Sequence, residues 1–179
     1  MKRLFISACA IVALLAAPAY ATLTVGAKAP DFKARASIGG KQFDFSLADA
    51  LKKGPVVLYF YPAAFTPGCT LEANNFAEAM DDFEKLGATV IGVSHDDIAT
   101  LDRFSLTECR SKFPVASDAD ARIMKSYDAV VGPNATYASR TSYVISPTGQ
   151  IVYSYSNGDY THHTEYTMDA VKKLVAERK

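Results

Sequence analysis

Hydrophobic and polar positions change period several times along this chain, and each change marks an element. Residues 55–61 form an unbroken apolar run rich in Val, Tyr and Phe, which predicts a short strand buried on both faces. After Gly68 the spacing turns helical, with Phe76, Met80 and Phe83 at i, i+4 and i+7, and Gly87 marks the end of that helix. Residues 89–94 are a second apolar strand. Asp96 and Asp97 open a helix reaching about Ser111, with the acids at its favoured end and Ile98, Leu101 and Phe104 on its inward face. A brief strand over 113–116, a short helix over 120–127 and a loop over 133–139 follow. Strands over 141–145 and 151–155 pair through a turn at Pro147, Thr148 and Gly149. Met168, Val171, Leu174 and Val175 define an amphipathic C-terminal helix. On the N-terminal side, Ile38-Gly39-Gly40-Lys41 reads as a hairpin turn between two short strands, and Phe45-Ser46-Leu47 leads into a short helix ending at Lys53. Strands alternating with helices, then a hairpin and a last helix, predict an α/β class fold around one mixed sheet.

The composition sets bounds on this picture. A 179-residue chain that is 49% hydrophobic suits a single globular core, and no repeat or linker divides it. Formal net charge is zero and no basic face is evident, which excludes nucleic acid as a partner. Residues 1–21 read as a signal peptide: Lys2 and Arg3, an apolar stretch over 4–17, then Ala19-Tyr20-Ala21 as the cleavage pattern. The apolar stretch is short for a membrane span, so no stable membrane association is expected, an uncleaved anchor being the alternative. The expected destination is the bacterial periplasm, with one mature domain over 22–179 that carries 17 basic and 19 acidic residues. Cleavage removes Cys9 and leaves Cys69 and Cys109, and an even count in an oxidising compartment invites a disulfide.

The chemistry concentrates at Tyr61-Pro62-Ala63-Ala64-Phe65-Thr66-Pro67-Gly68-Cys69, where strand becomes helix. Cys69 falls in a predicted first helical turn. Free N–H groups and the positive end of the helix dipole favour an anion there, so the thiol is expected to react as the thiolate. The alternative is a structural cysteine packed beneath the helix. Far along the chain, Arg140 precedes Thr141-Ser142-Tyr143. Its permanently charged fork could hold an anion such as a thiolate, or it could be a solvated residue at a strand start.

Pro62, Thr66 and Cys69 form P-x-x-x-T-x-x-C, which resembles the active-site motif of the peroxiredoxins. Thr70-Leu71-Glu72 extends the likeness to the bacterioferritin-comigratory-protein (PrxQ-type) subfamily of the AhpC/TSA family. Arg140-Thr141-Ser142-Tyr143-Val144-Ile145 with Gly149, and Ala29-Pro30-Asp31-Phe32 near the start, resemble further family elements in the right order. The resemblance spans roughly residues 25–174. It implies a thioredoxin-like fold, a central mixed sheet flanked by helices with an N-terminal β-hairpin. It also implies a thiol-dependent peroxidase that reduces hydrogen peroxide and organic hydroperoxides without a cofactor. Cys69 would become a sulfenic acid, Arg140 would stabilise the leaving oxygen, Thr66 would orient the peroxide and Pro62 would shield the thiolate. Glu72, one turn after Cys69, would orient Arg140 or stand as an exposed first-turn acid.

One position departs from the subfamily. Many PrxQ-type members carry a second cysteine five residues after the first, where this chain has Asn74. Cys109 is the candidate to replace it as the resolving thiol, late in the helix that starts near Asp97. It could equally be a small buried apolar residue there. A thioredoxin-like or other thiol reductant would complete the cycle, and the protein is expected to be a monomer or weak dimer. The competing readings are a thiol–disulfide oxidoreductase, although Thr66 stands where the first cysteine of C-x-x-C would be, and a redox-sensing module without catalysis. His95 reads as a loop residue, and the adjacent His162 and His163 lack the spacing of a helical metal site. The six tyrosines between Tyr137 and Tyr166 read as ordinary strand packing. Asn134-Ala135-Thr136 is a glycosylation sequon.

Overall fold

The computed structural model describes residues 22–132 and 134–177, so the segment read as a signal peptide lies outside the described residues. A hairpin opens the fold: β1 (Lys33–Ile38) and β2 (Lys41–Ser46) pair antiparallel across Gly39 and Gly40. Both glycines have positive φ, +56° and +75°, as a two-residue hairpin turn matching the twist of its strands requires. Ser46 caps α1 (Leu47–Leu51), its hydroxyl accepting from the Asp49 N–H. Then follow β3 (Val56–Phe60), α2 (Pro67–Lys85), β4 (Thr89–Ser94), α3 (Ile98–Thr107), β5 (Val115–Ser117), α4 (Arg122–Ser126), β6 (Thr141–Ile145), β7 (Ile151–Ser156) and α5 (His163–Ala176).

The seven strands make one mixed sheet in the order β2-β1-β5-β4-β3-β6-β7. β4 lies parallel to both β3 and β5, and the remaining neighbours are antiparallel. Period-2 alternation along β3 feeds two separate cores. Val56, Leu58 and Phe60 pack with Leu47, Ala50, Met124 and Tyr143 on the face that α1 and α4 cover. Val57, Tyr59 and Tyr61 pack with Phe76, Phe83, Leu101, Phe104 and Val171 beneath α2, α3 and α5. This explains the unbroken apolar run, since a central strand has no solvent face. The thioredoxin-like α/β arrangement expected from the sequence is the one found.

Two features of this topology place the site. β3 leads through a short loop into α2, which puts the helix N-terminus at the end of β3. β6 runs antiparallel to β3 with Thr141 opposite Phe60, which brings the residue before β6 to that same end.

The third helix differs from its expected form. α3 stops at Thr107, and Cys109 lies two residues beyond it rather than late in the helix. Arg110 and Ser111 adopt left-handed backbone, φ +50° and +58°, which a right-handed helix cannot continue. The Cys109 N–H still reaches back to the Phe104 carbonyl at 3.1 Å, closing the turn. Nothing in the apolar spacing marks this stop, because no glycine or proline stands there. Smaller shifts occur nearby: β5 starts two residues later than the expected strand at 113, and α4 is shorter at both ends than 120–127.

Candidate active site

The loop between β3 and α2 is tied down at several points. The Tyr61 N–H donates to the Val93 carbonyl at 3.1 Å, and the Ala64 N–H donates to Asp96 Oδ2 at 2.8 Å. The same carboxylate oxygen accepts from Ser94 Oγ at 2.8 Å. Phe65 sits in the left-handed region at φ +63°, its ring edge-on to Phe104 at 5.2 Å. Thr66 takes the N-cap position with extended backbone, and Pro67 follows at the first helical residue, where the missing N–H costs nothing. The Thr66 hydroxyl does not cap the helix; it donates to the Ala63 carbonyl at 2.9 Å. Thr66 is exposed and Pro62 is partly covered.

Cys69 therefore lies in the first turn of α2, among N–H groups that have no partner within the helix. Its side chain is buried, at 1% exposure. Arg140 reaches it from 71 residues away, with Nη2 at 3.5 Å from Sγ. Arg140 is itself buried at 8% exposure, which removes the reading of a solvated residue. The loop after β7 holds the guanidinium from behind: Nε donates to the Gly158 carbonyl at 3.1 Å, and the Asn157 N–H donates to the Arg140 carbonyl at 3.2 Å. Gly68 leaves room for this approach, since a Cβ there would stand 3.2 Å from Nη2 and 3.7 Å from the Tyr160 ring.

Glu72 is fully buried, so it is no exposed first-turn acid. Its Oε2 accepts from Arg140 Nη1, while Oε1 has no hydrogen-bond partner among the described residues. Burial pushes this carboxyl up to about 8, against the downward pull of Arg140. On the far side of Glu72 stands His163, buried at the first position of α5. Its Nδ1 lies 2.8 Å from Ser142 Oγ and 3.7 Å from Glu72 Oε1. Its Nε2 lies 3.0 Å from the Asn157 carbonyl. Burial pushes the imidazole down to about 4, so it is neutral near pH 7. A carbonyl only accepts, which assigns the proton to Nε2 and leaves the Nδ1 lone pair to accept from Ser142. Sequence reasoning missed His163. The available signal was Ser142, a hydroxyl on an apolar strand that needs a buried partner.

His162 points elsewhere. It is exposed, stacks on Tyr166 and lies 3.1 Å from Glu165. His95 packs edge-on against Tyr137 at 5.0 Å. Cys109 is a free thiol, fully buried in the same apolar cluster as Cys69, and burial pushes its thiol well above the usual range. Tyr59 and Tyr61 belong to that cluster too, and each has a buried hydroxyl with no hydrogen-bond partner among the described residues. Asn74 is bound from both sides: Nδ2 donates to the Thr70 carbonyl at 2.8 Å and Oδ1 accepts from Arg110 Nε at 3.0 Å.

Comparison with known proteins follows the same lines. The model of the AhpC/TSA family matches residues 25–154. A Helicobacter pylori protein named peroxiredoxin bcp is 34% identical over 155 residues, 83% of this chain and 98% of its own. Peroxiredoxin Bcp of Xanthomonas campestris is 31% identical over 122 residues, 65% of this chain and 76% of its own. Among solved structures, a cysteine-to-serine mutant of Xylella fastidiosa PrxQ superposes with a TM-score of 0.76 at 28% identity, covering 89% of this chain and 99% of that one. Peroxidoxin BcpB from Mycobacterium tuberculosis gives 0.76 at 27% identity, covering 84% and 97%. These relatives correct one expectation. Where their names give a compartment it is the chloroplast, as for barley 2-Cys peroxiredoxin BAS1 and rice peroxiredoxin Q, and the assignment to the periplasm is overturned.

Proposed function

Because the chain belongs to the AhpC/TSA family and is a thiol peroxidase of the Bcp/PrxQ kind, we propose that it reduces hydrogen peroxide and organic hydroperoxides through Cys69. The Cys69 thiolate attacks one peroxide oxygen. An S–O bond forms, the O–O bond breaks, and hydroxide or alkoxide departs as sulfur becomes a sulfenic acid. Arg140 faces the sulfur and stabilises the charge that grows on the leaving oxygen. Thr66 presents its hydroxyl oxygen at the mouth of the site, and Pro62 narrows the access of water. The observation that carries this reading is the 3.5 Å approach of Arg140 Nη2 to Cys69 Sγ inside a buried site, because a structural cysteine has no need of a cation.

Cys109 then resolves the sulfenic acid. Its thiol displaces water from Cys69, a disulfide forms, and a thioredoxin-like or other thiol reductant opens that disulfide. Both sulfurs are buried in one apolar cluster, and a disulfide needs Cα atoms within roughly 7 Å. The first turn of α2, the turn holding Cys109, or both open in each cycle to bring the two thiols, held on separate segments, together. A peroxide-consumption assay with dithiothreitol tests the central claim. Turnover by the wild-type chain and none by Cys69→Ser is expected, since serine supplies no anion near neutral pH. Reduction of insulin disulfides without peroxide turnover would favour a thiol–disulfide oxidoreductase instead.

A further inference from the structure

The unpartnered oxygen of Glu72 bears on the proton balance of the reaction. Oε1 is buried and has no donor among the described residues, and His163 Nδ1 faces it at 3.7 Å. That nitrogen carries one lone pair, because the Asn157 carbonyl at 3.0 Å holds the proton on Nε2, and the Ser142 hydroxyl at 2.8 Å competes for it. An ionised Oε1 facing a lone pair is unfavourable twice over, by desolvation and by the lack of any donor among the described residues. A protonated Oε1 turns the same geometry into an O–H donor facing that acceptor, and it takes the lone pair when the Ser142 hydroxyl turns its own proton away and a small rotation of either side chain closes the remaining gap. The groups around the pair are few. Cys69 stands on the same helix, Arg140 at the start of β6, and the Tyr59 phenol on β3, with Asp159 and His162 beyond His163.

We infer that Glu72 and His163 form a proton-holding pair, in which Glu72 carries its proton on Oε1 against His163 Nδ1 while Cys69 is a thiolate, and releases it when the thiolate is consumed. Both act as positioning residues through Arg140. The inference rests on the reading of Cys69 as the peroxide-reducing thiol. The charge balance gives the reason. With Glu72 neutral, the buried site holds one cation, Arg140, and one anion, the thiolate. Attack on HOOH forms the S–O bond and breaks the O–O bond, and hydroxide leaves with the electron pair. Sulfur is oxidised and the peroxide oxygen reduced. The sulfenic acid is neutral, so Arg140 no longer faces an anion. Ionisation of Glu72 restores the ion pair, and the proton set free converts hydroxide to water. The elevated carboxyl of Glu72 and the neutral imidazole of His163 agree with this assignment.

The test counts protons. One equivalent of hydrogen peroxide is mixed with reduced full-length protein near neutral pH in weak buffer. A pH indicator reads proton uptake, and ultraviolet absorbance reads thiolate loss. The later disulfide step neither takes up nor releases a proton, so it does not disturb the count. Wild type is expected to lose its thiolate with no net proton uptake. Glu72→Gln, which keeps the side-chain volume, is expected to take up one proton per thiolate consumed. His163→Phe, which removes the acceptor, is expected to shift toward that same value. Uptake of one proton per thiolate in wild type overturns the inference. Zero uptake in His163→Phe beside one in Glu72→Gln removes His163 from the pair and overturns it as stated. Absence of any thiolate loss in wild type overturns the Cys69 reading itself, and is distinguished by the absorbance channel.

Discussion

At the scale of single residues the site is governed by how few partners Arg140 has. Its three donor nitrogens go to Cys69, Glu72 and the Gly158 carbonyl, so a change at any of these partners is felt at the sulfur. Arg140→Ala removes the guanidinium that faces Cys69 and leaves Glu72 Oε2 buried without its donor. The second-order rate of Cys69 oxidation should fall on the order of a hundredfold or more. Arg140→Lys should recover little of it, because an ammonium cannot fork between sulfur and carboxylate. Stopped-flow kinetics with hydrogen peroxide checks both, and an unchanged rate would reduce Arg140 to a packing residue. The approach of Arg140 to Cys69 was legible in the sequence because each lies in a short motif whose chemistry is local. His163 was not. Its role depends on Ser142, Asn157 and Glu72, three residues on three separate segments, and only the folded sheet brings them together.

At the scale of elements, the end of α3 matters most. Cys109 sits in a turn rather than a helix, followed by two left-handed residues, Arg110 and Ser111. Non-glycine residues in that region store on the order of 1 kcal/mol or more each, so this turn opens more readily than a helical one. Among the side chains that hold it shut is Arg110, whose Nε donates to Asn74 Oδ1 at 3.0 Å and whose Nη1 lies 3.2 Å from Glu78 Oε1; Lys112 Nζ lies 3.1 Å from Asp81 Oδ1 beside it. Asn74 occupies the place of the subfamily's local second cysteine, so this tether runs from the neighbour of Cys109 to that position on α2. Both partners in the ion pair are well exposed, and such pairs contribute about 1 kcal/mol or less. Arg110→Ala should speed formation of the Cys69–Cys109 disulfide, by about fivefold at most. Quenched-flow mass spectrometry of peroxide-treated protein reads the cross-linked peptide directly. The same measurement on Cys109→Ser should find Cys69 as sulfenic or overoxidised acid. Accumulation of sulfenic acid in wild type would leave Cys109 as packing. The helix spacing concealed this turn, since Ile98, Leu101 and Phe104 set a period that Cys109 extends without a break.

For the whole molecule, the order of elements was legible because β3 and β4 are unmistakable apolar runs and the Gly39-Gly40 turn fixes the hairpin. The position of β5 between β1 and β4 was not, because a three-residue strand carries too little pattern to show its neighbours. Global stability then depends on buried groups whose titration the fold alters. His163 is lowered from 6.5 to about 4, so the folded chain resists a proton that the unfolded chain takes readily. Its contribution is fully present above pH 6.5 and is lost as pH falls from 6.5 toward 4. Glu72 is raised from 4.5 to about 8, so its contribution has the opposite sign, present below pH 4.5 and lost as pH rises through about 8. The two effects narrow the range of greatest stability from both sides. His163→Asn removes the acid-side effect. The variant should be less stable than wild type at neutral pH, because Asn fills less space and bonds Ser142 and Asn157 less well. The gap should then shrink by on the order of 2–3 kcal/mol as the pH is lowered across the His163 window, since only wild type must protonate a buried imidazole. Urea unfolding of both proteins at several pH values measures the gap. The titrating groups other than Glu72 are common to both chains and cancel in the difference, and Glu72 drops out at the acid end of the window, where it is protonated in both folded chains. Parallel pH dependences would mean that His163 takes up its proton in the folded state as easily as in the unfolded one.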